Sequence, residues 1–344
     1  MNSNTNSGQT GQNSGQIPGQ KIILSGMRPT GRLHWGNYTG ALENWIGLQD
    51  DYKCYFMVAD WHVLTTALDK AAEINLNSRE MYLDWLGAGL DPEKSVLFIQ
   101  SQVKEHAELY LIMAMMISMG RLERNPTFKE QIRDLNLGSE ISYGHLGYPV
   151  LQAADILVYL ANAVPVGEDQ LPHLELTREM ARRFNNHFGE TFPEPEALVT
   201  KFARFPGTDG KRMSKSLGNT IEISASPEEI RKKIMPAFTD PARLRKSDPG
   251  NPEICAVYTW YEKFLPDEVA RTAHECKNAA RGCVDCKKIL AEGVSEHFAP
   301  LRERRASYAA DPKSLDEIIH TGCQRARETA RRTMEKVHQA MGLG

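Results

Sequence analysis

The stretch GKRMSKSLGN, Gly210 to Asn219, sets Lys211, Arg212 and Lys215 among the hydroxyls of Ser214 and Ser216 and brackets them with glycines. Cations, hydroxyl donors and a backbone free to turn its N–H groups inward are what a phosphate needs. A solvated basic turn carries the same residue types, so a second anion site has to support the reading. One stands upstream in SGMRPTGRLHWGNYTGAL, Ser25 to Leu42. A short apolar run, a glycine-proline loop and a helix start would put helix N–H groups and the positive end of the helix dipole at a sheet edge. His34 and Asn37, three residues apart, would share the first helical turn and face one phosphate group, while Gly36 would let a nucleotide approach the backbone.

These segments need a scaffold. KIILSG (Lys21 to Gly26), CYFMVAD (Cys54 to Asp60) and SVLFIQS (Ser95 to Ser101) read as buried strands, with helical spacing between them at Gly40 to Leu48 and Ala71 to Leu86. AVPVGED (Ala163 to Asp169) and ALVTKFARF (Ala197 to Phe205) add two more strands. The expected fold class is α/β, a Rossmann-like parallel sheet with flanking helices and ligands beyond the strands' carboxyl ends, followed by an all-α C-terminal domain. The domain limits read as a disordered tail over 1–20, poor in apolar residues, a catalytic domain over 21–222, and a helical domain over 223–344 that starts near Ser226-Pro227. With 344 residues, 41% hydrophobic, and a net charge of −3, the composition is that of an ordinary globular chain. No apolar run approaches the roughly 18 residues that cross a bilayer and no secretion signal stands at the start, so a cytoplasmic protein without a membrane partner is expected.

A His-x-Gly-Asn helix start after the first strand and an Arg-Met-Ser-Lys-Ser loop after the last resemble the two motifs of class I aminoacyl-tRNA synthetases. The resemblance implies that Lys211, Arg212, Met213, Ser214, Lys215 and Ser216 form a mobile loop closing over the triphosphate of Mg2+-bound ATP, with Lys215 neutralising charge as pyrophosphate leaves. Arg212 stands where the family usually has the first Lys, and Trp35 fills a slot usually held by a smaller aliphatic residue.

GYPVLQAADILVY (Gly147 to Tyr159) and PVGEDQLPHLELTREMARRFN (Pro165 to Asn185) look like the tryptophanyl-tRNA synthetase family. The resemblance makes Asp155 the acceptor of the indole N–H, with Tyr148, Gln152 and Gln170 around the amino acid. One fixed acceptor in an apolar cleft is the minimal specific site for an indole. Read without its flanking segments, Asp155 is a helix N-cap for the pattern AADILVYLA. Gln152 stands where many tryptophanyl members carry Met, and Gln-x-x-Asp is similar to the sister tyrosyl enzymes, so tyrosine is the near alternative; a non-charging paralogue that binds nucleotide or tRNA, or senses redox state, is the other. Gly167 and Asp169 are candidates for the nucleotide, Asp169 for its ribose hydroxyls, and Lys129 of NPTFKEQ for its phosphates. His62 reads as a structural or pocket-wall histidine, since adenylate formation needs charge stabilisation and alignment more than proton transfer.

Four cysteines, Cys255, Cys276, Cys283 and Cys286, follow the spacing C-x20-C-x6-C-x2-C. In a cytosolic chain such a set argues for thiolate ligation, with zinc and iron–sulfur as competitors, and the lone C-x2-C is more like a [4Fe–4S] centre. The resemblance adds weight, because a subset of bacterial tryptophanyl members carries such a cluster. Cys54 and Cys323 read as bland thiols, Cys323 on the packed stripe Ile319, Cys323, Ala326, Ala330, Met334, Val337 and Met341. Leu301 to Gly344 holds nine Lys and Arg against six Asp and Glu. By resemblance the helical domain reads the anticodon of tRNA(Trp), with Lys287, Lys288, Arg325 and Arg331 as candidate phosphate contacts, the last helix returns to the catalytic domain, and the enzyme is a homodimer that takes L-tryptophan and ATP.

Overall fold

Five short apolar runs form one parallel sheet in the computed structural model, which describes residues 20–134, 141–199 and 205–343. The strands are β1 (Ile22–Met27), β2 (Lys53–Val58), β3 (Val96–Ile99), β4 (Ala163–Val166) and β5 (Glu196–Val199), in the order β3-β2-β1-β4-β5. β1 and β2 run in register from Ile22 opposite Lys53 to Met27 opposite Val58. β2 and β4 are buried almost throughout, as expected of strands covered by helices on both faces. The strand expected over Ala197 to Phe205 is seen as β5, and residues 200–204 lie outside the described residues, as do residues 1–19 of the expected tail. Strand order reverses between β1 and β4, so the carboxyl ends of these two strands open the crevice in which such sheets bind ligands.

Helix starts and stops follow local chemistry. After β1 the chain enters a turn of helix at Trp35–Asn37, passes through a π-turn at Tyr38–Leu42 and continues as Glu43–Leu48. The helical reading of Ala71 to Leu86 resolves into a 3-10 stretch, Leu68–Glu73, and an α-helix, Ile74–Ala88, ended by Gly89 in the left-handed conformation. The helix expected to start at Asp155 instead spans Tyr143–Leu157. Ser142 is its true cap, accepting the His145 N–H at 3.0 Å. Asp155 is thus in the last turn and not an N-cap. The AADILVYLA pattern misleads because Pro149 lies inside the helix, where a proline usually marks an end.

After β5 the described chain is helical: Pro227–Ile234, capped by the reciprocal pair Ser226 and Glu229, then Ala256–Phe264, Val269–Lys277, Cys283–His297, Ala299–Ala310 and the 30-residue Pro312–Met341. One apolar core runs through both halves, joining Ile23, Trp45 and Trp85 to Ile230, Trp260, Leu290 and Leu301. Trp35 sits at its centre, fully buried, edge-on to Trp260 at 5.4 Å and Phe264 at 5.0 Å and stacked on Phe298 at 6.2 Å. The aromatic departure at this position therefore fills a pocket that the helical half provides.

The closing helix lies along β3, burying Cys323, Ala326, Ala330, Met334 and Val337. At its closest approach Gly322 meets the Leu97 carbonyl, and a Cβ there would fall 1.8 Å from that oxygen. Gly322→Ala should force the helix off the strand and lower stability by about 3 kcal/mol, the upper range for overpacking, read as a reduced urea midpoint.

Candidate active site

A cleft of about 660 Å³ opens at the carboxyl ends of β1 and β4. Gly26, Arg28 and Thr30 from the end of β1, Asn37 from the helix tip, Tyr148, Gln152 and Asp155 from the Tyr143–Leu157 helix, Gly167 and Gln170 beyond β4, and Arg212 and Ser214 from the basic loop all line it. Two segments about 180 residues apart thus border one cavity. Backbone pairing brings them together: Trp35 N–H donates to Ile221 O at 2.9 Å and Ile223 N–H to Leu33 O at 3.0 Å.

The helix tip and the basic loop touch directly. His34 and Asn37 cap one another, Asn37 N–H donating to His34 Nδ1 at 3.3 Å and His34 N–H to Asn37 Oδ1 at 3.1 Å. The pair is therefore tied together through His34 Nδ1 and Asn37 Oδ1, which leaves His34 Nε2 and Asn37 Nδ2 outside the cap. Gly36 serves contact within the protein: its N–H points at Met213 Sδ at 3.3 Å, and a Cβ would meet the His34 ring at 3.0 Å. Lys215 Nζ donates to Thr30 O at 3.0 Å, against the loop that follows β1. Ser214 and Ser216 share a hydroxyl contact of 2.9 Å, and Asn219 Oδ1 accepts Ser214 N–H at 2.8 Å, which shapes the turn. Burial pulls the Lys215 ammonium below its ordinary range, with Asp84 and Glu222 acting in the opposite sense. Burial, then the charges of Lys215 and Arg212, push the His34 ring down to about 4.

The amino-acid side of the cleft centres on Asp155, which is 1% exposed. Its Oδ1 accepts from His106 Nδ1 at 2.6 Å and Gln100 Nε2 at 2.8 Å, and its Oδ2 from His62 Nε2 at 2.8 Å and Gln100 Nε2 at 2.9 Å. Burial alone would raise this carboxyl, yet the hydrogen bonds and charges of His106 and His62 hold it down at about 2. His106 Nε2 also meets the Tyr159 hydroxyl at 2.8 Å, which holds the ring with Nδ1 toward the carboxylate. Of the three donors, His62 is the one in the cleft wall. Tyr148 meets His173 Nε2 through its hydroxyl at 2.8 Å.

Other expected residues fall elsewhere. Lys129 is exposed on the Pro126–Asp134 helix and is not among the cleft-lining residues. Lys211 is exposed, its N–H turned to Asp209 Oδ1 at 3.0 Å. The side chain of Asp169 lies outside the described residues. Lys287, a candidate phosphate contact, is buried, with Nζ donating to Met235 O at 3.0 Å and Ala237 O at 2.6 Å, so it ties two helices instead. Sequence reasoning missed Arg28, which lines the cleft and whose guanidinium burial pulls below its usual range; its place just beyond β1 was the available signal. Gln100 and His106 had none, being 55 and 49 residues from Asp155.

The four cysteines line one small cavity of about 30 Å³, together with Arg243, Tyr258, Thr272 and Arg281. Burial raises Cys255, Cys276 and Cys286, with neighbouring thiols adding to each, and Arg243 Nη1 approaches Cys276 Sγ at 3.6 Å. Among the described residues, no three Cys, His, Asp or Glu side chains converge on a single ion position. No described helix is long and apolar enough to cross a membrane.

The family model for tRNA synthetases class I (W and Y) matches residues 19–299, and the chain belongs to that class. Within it, its relatives are tryptophan–tRNA ligases. That of Thermotoga maritima is 50% identical over 93% of this chain and 99% of its own length, and that of Aquifex aeolicus 43% identical over 93% and 99%. The crystal structure of Campylobacter jejuni tryptophanyl-tRNA synthetase complexed with ADP and tryptophan is 35% identical, covers 94% of this chain and 100% of its own, and superposes with a TM-score of 0.85. An Archaeoglobus fulgidus tyrosyl-tRNA synthetase, 20% identical with a TM-score of 0.64, shares the fold alone.

The His34 ring offers a direct check. Its folded value lies below the ordinary 6.5, so as pH falls the unfolded chain takes up the proton first. The stability gained by keeping the ring neutral is complete above about pH 6.5 and is lost as pH falls toward about 4. An NMR titration of His34 should give a midpoint near 4, and Lys215→Met should move that midpoint upward by removing one of the two repelling cations.

Proposed function

We propose that this chain activates L-tryptophan with ATP and transfers it to tRNA(Trp). The observation that carries the reading is one cleft bordered at once by Asn37 of the helix tip, by Arg212 and Ser214 of the basic loop, and by the buried carboxylate Asp155. In the first step the tryptophan carboxylate attacks the α-phosphorus of Mg2+-bound ATP, forming tryptophanyl adenylate as the bond to pyrophosphate breaks. In the second, a ribose hydroxyl of the terminal tRNA adenosine takes the aminoacyl group and AMP leaves. The neutral His34 ring, Asn37 and Lys215 bind the phosphates, and Lys215 stabilises the charge gathering on the departing pyrophosphate. Arg212, Met213 and Ser214 set the loop, and Gly36 gives it room. Gly167 and Asp169 are assigned to the nucleoside by the resemblance, and Tyr148, Gln152 and Gln170 to the amino acid. Asp155 is charged and its cleft-side donor is His62, so an entering indole N–H shares Oδ2 with His62 or replaces it. A side chain without that donor gains nothing from the carboxylate, which is the basis of selection against residues of similar size.

ATP–pyrophosphate exchange tests this reading. Exchange should proceed with tryptophan and not with tyrosine, and Lys215→Ala should lower turnover by roughly 100-fold, as for loss of one charge-stabilising group, with little change in tryptophan binding. Exchange supported by tyrosine alone, or an undiminished Lys215→Ala, contradicts it.

The four cysteines are proposed to hold a [4Fe–4S] cluster. All four thiols line one small cavity, as ligands of a shared centre must. A Cβ on Gly250 would lie 2.7 Å from Cys276 Sγ, so the bare glycine leaves that sulfur its room. The cysteines would ligate as thiolates, and the positive charge of Arg243 beside Cys276 favours that form. A bound cluster would supply a covalent tie between the Ala256–Phe264, Val269–Lys277 and Cys283–His297 helices and a redox-active centre. Protein purified without oxygen should be brown and carry about four irons per chain; one zinc per chain assigns the thiols to zinc.

The same reading makes the enzyme a cytoplasmic homodimer, for which Leu111 and Met115, exposed one turn apart at the end of the Glu105–Ala114 helix, offer an apolar surface. The helical half would receive the anticodon stem of the tRNA.

A further inference from the structure

The backbone that carries His34 is held from outside the cleft. Asp84, fully buried in the Ile74–Ala88 helix, accepts the Leu33 N–H on Oδ2 at 2.7 Å, immediately before the His34 cap. Its other oxygen accepts Arg305 Nε at 2.8 Å, and Arg305 comes from the Ala299–Ala310 helix of the helical half. Arg305 Nη2 meets Glu80 at 2.5 Å, and Glu80 in turn accepts Arg32 Nε at 2.7 Å. The two helices approach closely because Gly87 faces Arg305: a Cβ there would fall 2.9 Å from Arg305 Cβ and 3.0 Å from Leu301 O. Glu80, Asp84 and Gly87 follow helical spacing, so one face of the Ile74–Ala88 helix is built to receive the arginine.

Of these residues Leu33 lines the cleft, and Arg32, Glu80, Asp84, Gly87 and Arg305 are not among its described lining residues. Burying a carboxylate is costly unless it is paired and hydrogen-bonded. Here the bonds end on the Leu33 N–H, one residue before the cap of the helix tip. Asp84 and Glu222 also act electrostatically on Lys215, so the same carboxylate faces both halves of the phosphate site.

We propose that Asp84 and Arg305 are positioning residues for the phosphate-binding helix tip, and that through them the Ala299–Ala310 helix of the tRNA-binding half sets the placement of His34 and Asn37. The proposal rests on the synthetase reading above. A planar fork is needed because Arg305 spans two carboxylates at once, which a lysine cannot reproduce.

The test uses the full chain and the variants Asp84→Asn, Arg305→Lys, Arg305→Met and Asp84→Asn/Arg305→Met, with Arg304→Ala as the packing control, since Arg304 Nε donates to Gly87 O at 2.8 Å on the same helix pair. Tryptophan affinity, ATP affinity and exchange turnover are measured separately. Expected are a roughly tenfold fall in turnover and weakened ATP binding in each single variant, tryptophan affinity within twofold of wild type, and a double variant no worse than Asp84→Asn. Arg304→Ala should change none of the three. Unchanged ATP affinity and turnover, a parallel loss of tryptophan affinity, or additive losses in the double variant would overturn the proposal. If the wild-type chain binds ATP but makes no adenylate, the synthetase reading fails while the ATP affinities of the variants still decide the role of Asp84 and Arg305.

Discussion

Everything at the phosphate side of the cleft depends on the backbone pairing of Leu33 and Trp35 with Ile223 and Ile221. Those two bonds are made by groups every residue carries, so they fix the meeting of the helix tip and the basic loop without committing any side chain that the chemistry needs. The loop's own residues are then free to face phosphate. Lys215 rests on the Thr30 carbonyl, an oxygen beside the cleft and a neutral acceptor, which competes weakly with a phosphate oxygen.

Charge states divide the site in a consistent way. His34 lies among cations, and burial together with Lys215 and Arg212 keeps it neutral. A neutral imidazole can donate to a phosphate oxygen without adding repulsion between the loop and the tip. Asp155 lies among donors, and His106, His62 and Gln100 keep it ionised although it is almost wholly buried. One end of the cleft therefore offers donors and positive charge and the other a single fixed acceptor, the complement of a molecule that carries phosphate at one end and an indole N–H at the other.

The strands and the two phosphate motifs were legible because both are local: apolar runs bounded by turn residues, and residue types packed within ten positions. Asp155 was legible only through resemblance. Its own segment reads as a helix start, and the residues that make it a charged, oriented acceptor arrive from three other segments: His62 from beyond β2, Gln100 from beyond β3 and His106 from the helix after that. Lysine was the residue type most easily misjudged. Lys129, Lys215 and Lys287 look alike in sequence, yet one is exposed, one is docked at the cleft and one is buried on two carbonyl oxygens. Pattern gives a lysine's neighbours along the chain, whereas its role depends on what lies a hydrogen bond away in space.

Trp35 shows how the two halves become one mechanical unit. A small aliphatic residue at this position would forgo the aromatic contacts to the helical half; the indole reaches into a pocket made by Trp260, Phe264 and Phe298. A large aromatic body buried between two elements transmits displacement, because close-packed interiors deform little before they repack. Movement of the Ala256–Phe264 helix therefore shifts the residue next to His34. That helix begins immediately after Cys255, so the cysteine cavity and the phosphate site are joined by one short rigid element.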